Sequence, residues 1–191
     1  MFVVLISGAN KGIGEGFVKK YLLRPDTTVI GTVRNLNAQD SQALTSLPVA
    51  SGSKVILVKI ESASETDPKH AMNNLSIFGI THIDTVIANA GVFKIAAFQK
   101  VSEMKTSDLM EHVDVNAAGV VRLFQATLPL LQKAKKPIFM VISSGVATIA
   151  GMEHVPFPVS SYGASKAAIN FLLRRIHFEQ PELIAFAVHP G

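Results

Sequence analysis

Residues 2–24, FVVLISGANKGIGEGFVKKYLLR, decide the fold of this chain. The run FVVLI (2–6) has strand length and is apolar on both faces of a pleat. It leads straight into SGANKGIG (7–14), and GIGEGFVKKYLLR then carries Ile13, Phe17 and Tyr21 at spacing four, the period of a helix. Gly8, Gly12 and Gly14 permit turns closed to other residues. Lacking side chains, they also let backbone N–H groups approach an anion at the positive end of the helix. Strand, glycine turn and helix in that order read as a pyrophosphate site. The spacing is Gly-x-x-x-Gly-x-Gly rather than Gly-x-Gly-x-x-Gly, so the position of the turn between first strand and first helix carries the reading.

Working outward, Val- and Ile-rich runs of strand length recur at TVIGTV (28–33), KVILVKI (54–60), IDTVIA (83–88), IFMVIS (138–143) and LIAFAVH (183–189). Helical patterns lie between them: DPKHAMNNLSIFG (67–79), a long segment from about Ser107 to Leu131, and YGASKAAINFLLRRIHFEQ (162–180). Runs apolar on both faces suit parallel strands covered by helices on either side, and right-handed βαβ crossovers of this kind build an α/β, three-layer, doubly wound parallel sheet of Rossmann-like type. Residues 1–191 are expected to form a single domain, since the chain shows no boundary, repeat or low-complexity segment; SLPVASGS (46–53) reads as a loop between a helix and a strand.

Composition excludes several classes. With 48% hydrophobic and 17% charged residues the chain is globular rather than disordered. No stretch reaches the roughly 18 apolar residues of a membrane span, and no basic leader precedes the first apolar run, so a cytoplasmic protein is expected. There are no cysteines, hence no disulfides, thiolate metal sites or cysteine nucleophiles. The six histidines show no ligand spacing, and no metal is expected. The net charge of +4 gathers only in QKAKKP (132–137), where Lys133, Lys135 and Lys136 follow an apolar helical run and suit the negative end of its dipole better than a nucleic acid.

About 20 residues past the glycine turn, a fold binding NAD offers an acid to the ribose hydroxyls. This chain has Arg34 there. A guanidinium cannot accept from those hydroxyls but fits a 2′-phosphate, and Lys11 adds a second positive charge, so NADP(H) is favoured over NAD(H). Glu61, ending the third strand, is placed to accept from the adenine amino group or to stand as a surface acid.

The remaining islands are NAG at 89–91, Asn116 in VNAAG, ISSG at 142–145, YGASK at 162–166 and HPG at 189–191. In their joint order and spacing these resemble the short-chain dehydrogenase/reductase family over residues 3–191. Within it, TVR, IANAG, FQATLPLLQK and IHFE look most like fungal ketoreductases related to norsolorinic acid ketoreductase, which act in aromatic polyketide pathways. The resemblance implies reduction of a small-molecule ketone by NADPH, with Tyr162 donating the proton. Lys166, one helical turn away, would draw the phenol towards working pH and hold the nicotinamide ribose. It further implies that Ser144, or else Ser143, binds the carbonyl oxygen and that Asn116 holds a water in the proton relay; the reading of the residues alone leaves Asn116 as the cap of a helix irregularity. The cofactor would lie along Gly8, Asn10, Lys11, Gly12, Ile13, Gly14, Arg34, Glu61, Asn89, Ala90, Gly91, Tyr162, Lys166, Pro190 and Gly191. The small residues Gly163, Ala164, Ala167 and Ala168 would let their helix pack closely, and the family's four-helix interface implies a dimer or tetramer.

Family members continue beyond Pro-Gly with a seventh strand and a substrate lid. The expectation is therefore a fragment or a truncated product whose strand at 183–189 is covered by another chain or else disordered together with the end of the preceding helix. The nicotinamide end is expected to be held loosely. Two other functions stay open on the same pocket: a non-redox isomerase or aldol-type catalyst using Tyr162 and Ser144, and a binding or scaffold subunit with weak chemistry.

Overall fold

The computed structural model describes residues 1–191. Six strands form one sheet: β1 (Phe2–Ser7), β2 (Thr27–Val33), β3 (Lys54–Lys59), β4 (Thr85–Ala88), β5 (Ile138–Ile142) and β6 (Ile184–Val188). Their order is β3-β2-β1-β4-β5-β6 and every pairing is parallel. The chain winds outward from β1 in both directions, and the break in winding falls between β1 and β4, where Val4 aligns with Thr85. In such a sheet a crevice opens there, at the carboxyl ends of the strands.

β1 shows why a continuous apolar run is needed. Val3 and Leu5 join the core under α3 (Asp67–Asn73), α5 (Gly119–Leu131) and α6 (Ser160–Glu179), whereas Val4 and Ile6 join a smaller core under α1 (Gly12–Leu22). Both faces are covered, so no position along the strand tolerates a polar alternation. The face of α1 buried deepest against the sheet is Gly14, Val18 and Leu22; of the Ile13, Phe17, Tyr21 stripe, Phe17 and Tyr21 pack partly buried at the margin of that core. Gly14 lets the helix approach the loop closely, while Ile13 is exposed and Tyr21 stacks on Phe2 at 6.0 Å beneath the Arg24 guanidinium. A short helix, α2 (Gln39–Ala43), stands between β2 and β3, ahead of the loop read at 46–53.

The long segment is one rod with a fault: α4 (Thr106–Val113), a π turn at Asp114–Ala118, then α5. A π turn inserts one residue into the helical ladder and re-aims the side chains beside it. The strand expected to be covered or disordered is formed, as is α6 up to Glu179; β6 pairs with β5 from Ile184 to Val188, and Ile184 and Phe186 are exposed.

Candidate active site

The turn after β1 has the strained backbone that its glycines predict. Gly8 and Gly12 sit at φ of 63° and 56°, a region where a side chain costs energy. Gly14 serves differently: a Cβ there would lie 2.1 Å from the Gly8 carbonyl oxygen. Asn89, ending β4, sews the turn to the sheet. Its Nδ2 donates to the Ser7 and Gly8 carbonyls at 2.9 and 3.2 Å, and Ser7 Oγ accepts from the N–H groups of Asn89 and Ala90, both at 2.9 Å. No side chain caps the first turn of α1, which leaves its N–H groups without a side-chain partner behind the crevice.

That crevice is a cleft of about 480 Å³. Gly8, Asn10, Lys11, Arg34, Glu61, Asn89, Ala90 and Gly91 all line it. Lys11 and Arg34 are exposed and pair with no acid, whereas Asn10 Nδ2 donates to Asp40 on α2 at 2.7 Å. Gly12, Ile13 and Gly14 shape the turn behind the cleft without walling it, and Pro190 and Gly191 are exposed beyond β6, outside it. Reading the sequence missed Thr32, Ser62, Ala63, Asp114 and Val115, which also line the walls. None of these carries a motif; they arrive at the cleft only through the topology.

The polar trio stands next to the cleft. Two serines follow β5: Ser143 Oγ donates to Asn170 Oδ1 at 2.7 Å, while Ser144 Oγ accepts from the Val146 N–H at 3.4 Å and lies near enough to the Tyr162 hydroxyl to favour its ionised form. Gly163 makes this possible, because a Cβ there would lie 3.0 Å from the Val146 carbonyl and hold α6 off the β5 loop. Lys166, only 4% exposed, sends its ammonium past the tyrosine to the Ile142 carbonyl at 2.8 Å, with Nζ 5.7 Å from the centre of the phenol ring. Burial lowers the lysine pKa to about 8. Without cofactor, burial raises the Tyr162 pKa above its ordinary value, opposed by Ser144, while Lys166 gives one of its three ammonium hydrogens to the main chain.

Asn116 lies on the π turn, fully buried. Its amide donates to the Val92 carbonyl at 2.9 Å and to Ser165 Oγ at 3.0 Å, and its Oδ1 accepts from Val92 N at 2.7 Å. Both amide hydrogens are thereby used, so any water it holds must donate to Oδ1 or bind its main chain. Gly91 joins the trio to the cleft: a Cβ there would meet Asn116 Oδ1 at 2.9 Å and Lys166 Nζ at 3.6 Å.

Around Tyr162 lies a group of rings the sequence reading passed over. Phe93 meets the phenol edge-on at 4.9 Å, Phe98 lies 6.5 Å from Phe93, and Phe157 lies 6.3 Å from Phe98. All three phenylalanines stand in loops and are about half exposed. The two loops are stitched together by a bridge between Gln99 and Val159 and by Ser160 Oγ donating to the Gln99 carbonyl at 2.8 Å. The sequence signal was available: aromatic residues in segments with neither helical nor strand period have no core to fill.

Comparison with known proteins agrees with this architecture. The chain is 44% identical over 191 residues to the norsolorinic acid ketoreductase of Dothistroma septosporum, covering 98% of this chain and 70% of that one. It is 41% identical to the norsolorinic acid ketoreductase of Emericella nidulans, covering 99% and 72%. Among solved structures, the NADPH-bound carbonyl reductase from chicken fatty liver superposes with a TM-score of 0.87 at 28% identity, covering 99% of this chain and 75% of that one. The family model for short chain dehydrogenase matches residues 2–191. The chain thus belongs to the short-chain dehydrogenases, oxidoreductases that work with a nicotinamide cofactor.

Proposed function

We propose that the protein reduces an aromatic ketone to a secondary alcohol with NADPH. The observation that carries this reading is Tyr162 with Ser144 beside it and Lys166 buried one turn on, at the end of a glycine-turn cleft that carries two unpaired cations. The residues fit a dinucleotide: a side chain at Gly91 would intrude where the cleft meets Lys166, and the uncapped N–H groups of α1 suit a pyrophosphate. Lys11 and Arg34 would hold the 2′-phosphate, Glu61 the adenine edge, and Gly91 and Lys166 the nicotinamide riboside. The nicotinamide, when bound, supplies hydride to the carbonyl carbon.

The chain's own groups do the rest. Ser144 Oγ donates to the carbonyl oxygen and steadies the charge that develops there. Tyr162 gives its phenolic proton to the same oxygen, and its raised pKa keeps that proton in place at neutral pH until it is needed. The Lys166 ammonium stabilises the phenolate left behind. Phe93, Phe98 and Phe157 offer ring faces and edges to a planar apolar substrate, which agrees with the names of the fungal relatives.

The test is calorimetric titration with NADPH and NADH, followed by NADPH consumption with a panel of aryl and alkyl ketones. NADPH should bind at least about tenfold more tightly than NADH, corresponding to ~1.4 kcal/mol from two charge-assisted contacts. Tyr162→Phe should lower turnover by about two to four orders of magnitude with cofactor affinity nearly unchanged. Equal affinity for the two cofactors would sink the NADPH assignment. An unaffected Tyr162→Phe enzyme would sink the mechanism.

A further inference from the structure

We propose that Arg122, on α5 and outside the cleft, is the positioning residue that fixes the adenosine end of the cofactor site. The inference rests on the proposed reading of the cleft as a dinucleotide site. Two of the cleft's walls, Ser62 from the β3–α3 loop and Asp114 from the π turn, come from segments far apart in sequence. One guanidinium holds both. Its Nη1 donates to the Ser62 carbonyl at 3.0 Å and to the Asp114 carbonyl at 3.4 Å, and its Nη2 reaches Asp114 Oδ1 at 2.6 Å. Nε and Nη2 together grip Glu65 Oε1 at 2.7 and 2.6 Å.

The Arg122 side chain is only 15% exposed although its acid partners reach solvent, and its planar fork of donors matches their carboxylates. The loop has no slack against the helix either. A Cβ on Gly119 would lie 2.8 Å from the Ser62 carbonyl oxygen. On its other side Asp67 Oδ2 accepts from the Glu61 N–H at 3.0 Å and from Lys59 Nζ at 2.8 Å. Glu61, which would face the adenine, therefore sits between two anchors: Asp67 at the start of α3, and Arg122 on α5 through the adjacent Ser62. Without Arg122, Ser62 and Asp114 lose their common partner, and the ligand must order that wall as it binds. A lysine cannot replace the guanidinium, since one ammonium has no fork to span two carboxylates and two carbonyls.

The experiment titrates wild type, Arg122→Gln and Arg122→Lys with adenosine 2′,5′-bisphosphate by calorimetry, and measures kcat and both KM values with saturating partner. Arg122→Gln is expected to weaken bisphosphate binding and raise the NADPH KM about tenfold, with kcat and ketone KM within about twofold; Arg122→Lys should fall between. A general loss of packing would instead lower kcat along with affinity. Should Arg122→Gln not fold, Glu65→Gln, at an exposed side chain, removes one arm of the fork and should shift affinity the same way by about two- to threefold. A folded Arg122→Gln that binds the bisphosphate as wild type does overturns the role of Arg122 alone. A wild-type chain that binds neither the bisphosphate nor NADPH overturns the reading of the cleft, and this proposal with it.

Discussion

Tyr162 and Lys166 are four residues apart, and that spacing is written in the sequence; their protonation is not, because it depends on burial. Lys166 has a folded pKa of about 8 against an ordinary 10.5. A depressed folded value means that this group's contribution to stability is complete above pH 10.5 and is lost as pH falls through about 8. Relative to Lys166→Met, the wild-type chain without cofactor should therefore gain stability between pH 8 and 10.5, by on the order of 3 kcal/mol if the full shift is realised. Denaturant unfolding of both proteins across that range measures it, and a constant difference would mean an ordinary lysine. Tyr162 has the opposite displacement, upwards. Ketone reduction, which consumes the protonated phenol, should stay level through neutral pH, whereas oxidation of the product alcohol should rise with alkalinity. The Ser143–Ser144 alternative resolves for a similar reason: the sequence gives two hydroxyls side by side, and only the Asn170 partner shows which one faces away from the phenol.

Among the elements, legibility followed burial. β1, β2 and β4 were readable because both faces are covered and each becomes an unbroken apolar run. α2 is only weakly marked, since QDSQA is five residues long, polar, and buries only Ser41. In α1 the i, i+4 stripe marks the helix, but its close contact with the loop is made by a glycine, which hydrophobic periodicity does not register. That helix contains its own controls. Gly14→Ala would force a methyl to 2.1 Å from the Gly8 oxygen, and is expected to destabilise by about 1–3 kcal/mol and to weaken cofactor binding at least tenfold. Gly16→Ala, two residues on, meets nothing within 4 Å and has ordinary helical backbone; it should stabilise by roughly 0.5–1 kcal/mol and leave binding alone. Thermal melts and cofactor titration of the pair separate the two roles, and equal effects would refute the close-approach argument. The π turn was invisible for another reason: one inserted residue leaves the i, i+4 pattern on either side intact.

At the scale of the whole molecule the six strands and their parallel, doubly wound arrangement followed from the sequence, whereas contacts between distant segments did not. Arg122 and Glu65, 57 residues apart, are an example: nothing local marks them as partners. The outer face of α6 carries Phe171 and Phe178 at 68% and 63% exposure, and we expect it to meet a second copy of the chain. Light scattering should give a dimer or larger species that Phe171→Glu converts to monomer; a monomeric wild type would discount the expectation. The seam between Gln99 and Val159 joins loops that are otherwise independent, and it ends at the first turn of the helix that carries Tyr162. A ligand that displaces Phe98 therefore pulls on the same stitch that seats the proton donor. Substrate fit and acid placement become one mechanical variable, so a ketone too wide for the rings should be bound yet turned over slowly, misaligned by its own contacts rather than shut out.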